Sequence, residues 1–556
     1  MTAAGRTSDF RAVVRHGRAW LPVLGVTALL GSAVTLALPT VLGRSVDAIV
    51  ARHGYGQWFA LAAGLIAVGI VCALVEVFTG TACVAGTTAW LRHRLVTHVV
   101  RSGPEGTREF DTGDLVSRVS GNAVDAAQAG PATVSAFAAI VPPAGSLVLL
   151  AFIDPWLAVA FFGGILLVIA VLWVFARRTA EISLAYQETQ GRIASLLTEA
   201  LTGLRTITAA GTTAREERRI LGLLPELHKH GLLTWQVLAR SGAQAAIVGP
   251  LVLVAVLAVG GLQLVAGRIT AGDLFAASQY AVLGAGLGSL TGVLGELARA
   301  RAGSQRAGEV LAVNTVAHGT LPLPPGPGRL TFDGVSVVVG ETVLLAGVNL
   351  ELPGGATVAV VGPGGAGKSV LAALAARLRD PSTGQVLLDG VPLPAVNRQA
   401  LRTAIGCAFE RPQLVGTTVG DAIAHNAISP VRTLAAARAT HAHDFVSRLP
   451  DGYRTPLLTA PMSGGERQRL GLARAWQANR LLVLDDATSS LDTATEMQIS
   501  KTLTEDRHRR TRLIVTHRTA TAARADLVIW LDRGVVRAVD SHAELWQDAC
   551  YREVFG

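Results

Sequence analysis

Charge is scarce in this chain. Only 16% of its 556 residues are Asp, Glu, Lys or Arg, whereas 50% are hydrophobic. A soluble globular chain carries roughly 25% charge, and a disordered one is rich in charge and poor in apolar residues. Disorder is excluded, and so is a purely soluble multidomain enzyme. Lysine is scarcer still. Lys229, Lys368 and Lys501 are the only three, so arginine carries nearly all of the 49 Lys+Arg set against 40 Asp+Glu. The formal charge of +9 has the sign that nucleic acid attracts, yet in so apolar a chain it more often marks the cytoplasmic loops of a membrane protein. Cysteine is nearly absent. Cys72, Cys83, Cys407 and Cys550 form no CxxC or Cys/His pair, which argues against a disulfide framework and against a zinc site.

Long uncharged stretches are what the chain does have. A helix needs about 18–25 apolar residues to cross a bilayer. Six such runs lie in the first half: Ala19–Gly43, Trp58–Val75, Ala126–Ile153, Pro155–Ala176, Ser241–Gly267 and Leu274–Gly295. One run could be a buried core helix; six together read as a membrane domain. Asp154 alone separates the third and fourth, which predicts a tight hairpin, and Arg268–Asp273 joins the fifth and sixth. Lys+Arg number four in residues 1–18, five in 81–125 and nine in 177–240, against two in 44–57 and one in 268–273. Positive charge stays inside, so both termini and the two long connections are expected in the cytoplasm. The first run follows Arg6, Arg11, Arg15 and Arg18 as a signal peptide would, but its 25 residues exceed an h-region of about 7–15 and no A-x-A site ends it. It is expected as the first membrane helix. Within the connections, Ile193, Leu196, Leu197, Ala200 and Leu204 share one helical face, and Gly113-Asp114-Leu115 and Gly203 mark turns. The membrane helices are therefore expected to extend into the cytoplasm. Glu76, near the cytoplasmic end of the second run, is the one strong charged candidate inside the membrane, with contact to water as the alternative.

Residues 316–328, VAHGTLPLPPGPG, carry prolines at 322, 324, 325 and 327, a stiff linker composition. Strand-like segments alternating with helical ones follow to the C-terminus, as in an α/β domain. The expected organisation is a transmembrane domain over 1–315, a linker over 316–328 and a nucleotide-binding domain over 329–556. The fold class is an all-α membrane domain of six helices followed by an α/β P-loop ATPase domain.

After the apolar strand Thr357–Val361 comes Gly362-Pro363-Gly364-Gly365-Ala366-Gly367-Lys368-Ser369, then a helical run opening at Val370. This is GxxxxGK[ST]. Its glycines let backbone N–H groups close around phosphates at a helix N-terminus. Lys368 is placed for the β/γ-phosphates of ATP and Ser369 for Mg2+. Farther on, four aliphatics, Leu481 to Leu484, precede Asp485 and Asp486. A buried strand ending in an acid presents that acid at the edge where α/β sheets bind ligands. Asp485 is then the Mg2+-side carboxylate and Asp486 the residue that orients the attacking water. Strand Leu513–Val515 ends at Thr516-His517 and brings a histidine to the same edge.

Met462-Ser463-Gly464-Gly465-Glu466 with Arg467-Gln468-Arg469 resembles the signature motif of ATP-binding cassette (ABC) proteins. Ser489-Ser490-Leu491-Asp492 resembles their D-loop, and His517 their switch histidine. With six membrane runs ahead of one cassette, the whole chain resembles an exporter-type ABC half-transporter. Gly113-Asp114-Leu115 with Arg118, and Glu199 through Gly203 to Ile207, match its patterns around the cytoplasmic coupling helices. The resemblance implies a bacterial cytoplasmic-membrane protein with its cassette in the cytoplasm, bound to lipid, to a transported substrate and to a second half-transporter. It also implies two ATP molecules sandwiched between two cassettes, each between one chain's phosphate loop and the other's signature. With a membrane half, a nucleic-acid partner is excluded.

The chain departs from that pattern in four places. Asp486 stands where the family has a catalytic Glu. The aromatic that stacks on adenine falls near Val339. The Q-loop glutamine position holds Glu410, still able to ligate Mg2+. The stretch Thr455–Pro461 before the signature is short and lacks the family's Gly-Glu pair. Such departures resemble the degenerate half of a heterodimeric exporter, in which this chain's own ATP site is slow and its signature completes the partner's site. A homodimeric multidrug or lipid exporter is the rival, and an ATP-sensing subunit or a metal-chelate importer on the same scaffold are further alternatives. The modified signature and short preceding loop look similar to bacterial exporters of peptides, which favours a peptide or amphipathic small molecule as cargo.

Overall fold

The computed structural model describes residues 3–285, 288–424, 429–504 and 510–555. It divides into two compact units, one of Met1–His98 with Phe110–Val313 and one of Val99–Glu109 with Asn314–Gly556.

The apolar runs become long helical passes. Helices Leu21–Val50 and Tyr55–Gly106 take the first two. A chain of short helices from Thr112 to Ile153 takes the third. Pro155–Thr202 and Leu224–Val265 follow, then Ala271–Ala285 with Gly288–Leu311. Among the described residues, Leu21–Val50, Tyr55–Gly106 and Thr112–Ile153 reach mean hydropathies of 2.0, 2.5 and 2.2 and are long enough to cross a membrane. Pro155–Leu167 and Gly249–Val265 are shorter apolar portions of the next two passes. The sixth run, Leu274–Gly295, crosses residues 286–287, which lie outside the described residues. The hairpin at Asp154 forms as expected, because its carboxylate accepts the Trp156 N–H at 2.8 Å and Pro155 fills the first helical position, where a missing N–H loses no bond.

Leu150, Leu157, Phe161, Val252, Val256, Ala277 and Tyr280 bury one seam among these passes. The Tyr280 hydroxyl donates to Leu36 O at 2.7 Å. Val77, Phe78, Phe152 and Val265 stay exposed on the helix flanks, an apolar surface matched to lipid. Glu76 is half-buried. The Gly113-Asp114-Leu115 turn becomes helix Thr112–Ser117, capped by Asp111. Arg118 closes it, donating to Asp114 Oδ2 at 2.8 Å, Glu309 Oε2 at 2.7 Å and Arg306 O at 2.8 Å. Gly203 ends the long helix at Thr202, and short helices Leu204–Ala209 and Thr213–Leu221 follow.

The second unit holds two sheets. Strands β1 (Leu330–Val339), β2 (Thr342–Leu352), β4 (Thr383–Leu388) and β5 (Val391–Pro392) pair antiparallel in the order β2-β1-β4-β5. The second sheet contains β3 (Thr357–Val361), β6 (Ile405–Phe409), β7 (Leu481–Asp485), β8 (Thr511–Val515), β9 (Leu527–Asp532) and β10 (Val535–Asp540). Its order is β10-β9-β3-β8-β7-β6, with β10 antiparallel and the rest parallel. All-apolar strands such as Val358–Val361 and Leu481–Leu484 are buried on both faces, as parallel strands require. A core including Phe332, Leu345, Val360, Leu371 and Val483 lies between the sheets and helix Lys368–Ala375. A helical lobe packs Val419, Ala437, Phe445 and Leu470.

The proline-rich stretch is laid along this unit. Leu321 bridges to Val396, the N–H groups of Gly328 and Arg329 both donate to Asp389 Oδ1 at 2.9 Å, and Arg480 holds the other Asp389 oxygen at 2.6 Å. Its prolines keep the backbone extended with few donors of its own, and neighbouring loops satisfy what remains. It is a strap built into the second unit.

Candidate nucleotide site

Adjacent strands β3, β8 and β7 end at Val361, Val515 and Asp485, and the chemistry-bearing residues follow at those ends. Beyond β3 the chain turns through Gly362–Gly367 into helix Lys368–Ala375. Two glycines are required there. At Gly362, with φ 154°, a Cβ would lie 2.1 Å from Leu531 O; at Gly367, with φ 97°, it would lie 2.9 Å from Leu344 O. Pro363, Gly364 and Gly365 are exposed, Ala366 is buried and Val370 is half-buried. Lys368 is 7% exposed and donates to Gly362 O at 2.7 Å and Pro363 O at 2.9 Å. Among the described residues the ammonium hydrogen-bonds only to these two carbonyls.

Ser369 Oγ donates to Asp485 Oδ1 at 3.1 Å. A hydroxyl and a carboxylate side by side are hard oxygen donors of the kind Mg2+ takes, so the residues fit that ion. Asp486, next along, has φ 48°, and its N–H donates to Val515 O at 3.3 Å. That turn directs its carboxylate toward the end of β8, where His517 Nε2 lies 3.5 Å from Asp486 Oδ2. Burial dominates the electrostatics. It pushes both Asp485 and Asp486 above the ordinary aspartate range, with Ser369 opposing at the first and His517 and Lys368 at the second. Burial also lowers Lys368, and the two aspartates counter it. These groups carry a desolvation cost that an incoming polyphosphate and its cation would relieve.

The remaining sequence candidates occupy the rim. Ser463 caps helix Gly464–Ala475: Glu466 N–H donates to Ser463 Oγ at 3.3 Å and Ser463 N–H to Glu466 Oε2 at 2.8 Å. This reciprocal box leaves the exposed N–H end of the helix at Gly464, a surface suited to phosphate. Asp492 Oδ2 accepts the Thr495 N–H at 3.0 Å and starts helix Thr493–Thr504. Glu410 follows β6 and is exposed; its carboxylate faces Arg411 Nε at 4.0 Å and has no hydrogen bond to Ser369 or Asp485 among the described residues. Val339 ends β1, partly exposed, opposite Thr342.

Sequence reasoning gave Gln468 no role, and the structure gives it one. It is 2% exposed, its Nε2 donates to Glu410 O at 2.6 Å and Ser489 Oγ at 3.1 Å, and its Oε1 accepts the Ser490 N–H at 3.0 Å. One amide joins the loop after β6 to the loop after β7. The visible signal was a glutamine between two arginines on a helix whose neighbours are apolar. Arg518 is a second omission: it donates to Ser489 O at 3.2 Å and pairs with Glu496.

Known proteins share this arrangement. Residues 21–284 match the family model described as the ABC transporter transmembrane region, and residues 345–489 match that described as ABC transporter. The chain is 46% identical over 545 residues to the ABC transporter ATP-binding protein RamA of Streptomyces coelicolor, covering 97% of this chain and 86% of that one. It is 30% identical over 564 residues to an ATP-dependent lipid A-core flippase of Syntrophus aciditrophicus, covering 97% and 92%. A solved bacterial Atm1-family ABC exporter with ATP bound superposes with a TM-score of 0.76 at 26% identity, covering 98% of both chains.

Proposed function

The chain belongs to the ABC transporter family, as a membrane-embedded exporter that binds ATP and couples its hydrolysis to transport, and we propose that it is the slow-site half of an asymmetric pair. In this reading it works in a bacterial cytoplasmic membrane with its cassette in the cytoplasm. Its cargo is a peptide or an amphipathic small molecule.

Asp486 carries the reading. A carboxylate one methylene shorter than Glu is withdrawn by about 1.5 Å, so a water held by it sits farther from the phosphate that Lys368 grips. A misplaced general base typically costs about 10²–10⁴ in rate. In this reading Lys368 would bind phosphate, Ser369 and Asp485 would hold Mg2+ with Glu410 at the rim, and His517 would orient the Asp486 carboxylate. Bound Mg2+ would supply charge neutralisation at the phosphate oxygens. Ser463, Gly464 and Gly465 would serve the partner's site, where a glutamate does the hydrolysis. Val339 would pack on the base without an aromatic face.

One observation favours a homodimer instead. The 3.5 Å contact between His517 and Asp486 keeps the water-orienting pair intact, and relatives named as lipid A-core flippases leave such an assembly open. Mg-ATPase of the purified chain alone in lipid, beside Asp486→Glu, separates the two. The asymmetric reading expects wild type nearly inactive and the substitution at least about tenfold faster. Wild-type turnover of about 10 s⁻¹, an ordinary enzymatic rate, would sink it.

A further inference from the structure

Away from the phosphate loop, the second unit contains a cavity of about 390 Å³ lined by Arg101, Arg377, Arg398, Arg402 and His318. None of the described residues lining it is Asp or Glu. Four guanidiniums converge on a hollow within the size range of ligand pockets, about 300–1,000 Å³.

Their charge is poorly neutralised. Arg377, 3% exposed, donates to Ala317 O and His318 Nδ1, and its carboxylate partner is Asp380 at 3.2 Å. Arg402 donates to Ala376 O at 2.9 Å and Arg377 O at 3.1 Å, both uncharged acceptors. Arg101 and Arg398 are exposed, and their guanidiniums make no hydrogen bond or ion pair among the described residues. Glu105, the nearest acid in sequence to the Arg101–Pro104 wall, is paired with Arg379. Because Arg377 donates to Nδ1, the His318 ring is neutral and presents an Nε2–H as a further donor. Burial, reinforced by Arg377, Arg402 and Arg398, holds it below the ordinary histidine range. Arg377 also sits at φ 47° directly after the phosphate-loop helix, a left-handed conformation that non-glycine residues rarely hold.

We propose that this cavity binds a phosphate group, free or carried on a lipid headgroup. Guanidinium forks match phosphate oxygens bidentately, and the donors come from four segments: residues 100–104, residues 315–318, the end of the phosphate-loop helix and helix Arg398–Ala404. A bound phosphate ties those segments together, so occupancy here bears on how the ATP site is linked to the strap.

The test is calorimetric titration of inorganic pyrophosphate into the full chain in phosphatidylcholine nanodiscs. Lys368→Ala is the background, so that the phosphate loop's own hold on phosphate is weakened. The proposal expects one saturable site per chain, weakened at least about tenfold by Arg101→Gln with Arg398→Gln, two exposed positions remote from the fold's core. Repeating the titration in nanodiscs containing phosphatidylglycerol distinguishes the sources. A lipid headgroup in the cavity lowers pyrophosphate affinity only while both arginines are present; a free phosphate site gives equal affinity in the two membranes. No saturable binding in Lys368→Ala, or binding indifferent to the double substitution, overturns the proposal.

Discussion

At the scale of single residues, the two aspartates at the end of β7, Asp485 and Asp486, bear on stability. Their carboxyls are held above the ordinary aspartate value by burial. Below about pH 3.9, the unfolded value, both states are protonated and nothing is lost. As pH rises past that value the unfolded chain releases its protons first, while the folded chain keeps them, so stability falls until the folded pKa is passed. In the nucleotide-free chain in EDTA, the contribution of this pair to thermal stability should therefore fall as pH climbs from about 4. Asp486→Asn should flatten part of that decline. Thermal midpoints across the range check it; identical declines in wild type and variant would show that burial of Asp486 contributes nothing. The result bears on nucleotide binding, since Lys368 and the cation of the substrate are what compensate those charges.

At the scale of elements, ties between distant segments matter most. Gln468 bridges the loops after β6 and β7, so Gln468→Ala removes hydrogen bonds to the Ser490 N–H and Glu410 O, at about 0.5–1.5 kcal/mol each. Hydrogen exchange at Ser489–Asp492 should speed up, whereas exchange in β7 should not change. A uniform acceleration of both would instead mean general unfolding. Arg118 plays the comparable part in the membrane unit, joining helix Thr112–Ser117 to Gly288–Leu311 through Asp114, Glu309 and Arg306 O. Arg118→Ala should cost about 2 kcal/mol through its charge-assisted bonds, seen as a lower unfolding temperature in detergent, and no loss there would refute the tie. These elements also separate what the sequence discloses from what it hides. Gly362–Ser369 and Leu481–Asp486 were legible because strand, turn and chemistry are contiguous. The Asp154 hairpin was legible because one residue breaks two apolar runs. Gln468 was not, since its partners come from two other loops. Nor was the strap: proline content predicts an extended chain, and only the distant Asp389 and Val396 reveal that it is docked.

At the scale of the whole molecule, asymmetry becomes measurable once two chains are present. If this chain's own site is slow, its phosphate loop and its signature lie on different sides of the energetics. Lys368 serves the slow site; Ser463, Gly464 and Gly465 serve the partner's fast one. In a pair co-purified with a half-transporter carrying Asp-Glu at the equivalent strand end, Lys368→Ala should leave most of the turnover. Ser463→Arg, which places bulk and positive charge at the exposed N–H end of helix Gly464–Ala475, should remove at least about 90% of it, as loss of positioning for one hydrolysing site would. In a homodimer each site pairs one chain's phosphate loop with the other's signature, so either substitution enters both sites and the two should be equally damaging. Steady-state ATPase of the two variants therefore reads the assembly directly. Equal loss from both would return the chain to the symmetric reading, with Asp486 as the working base at two sites and its contact with His517 as the feature that sustains them.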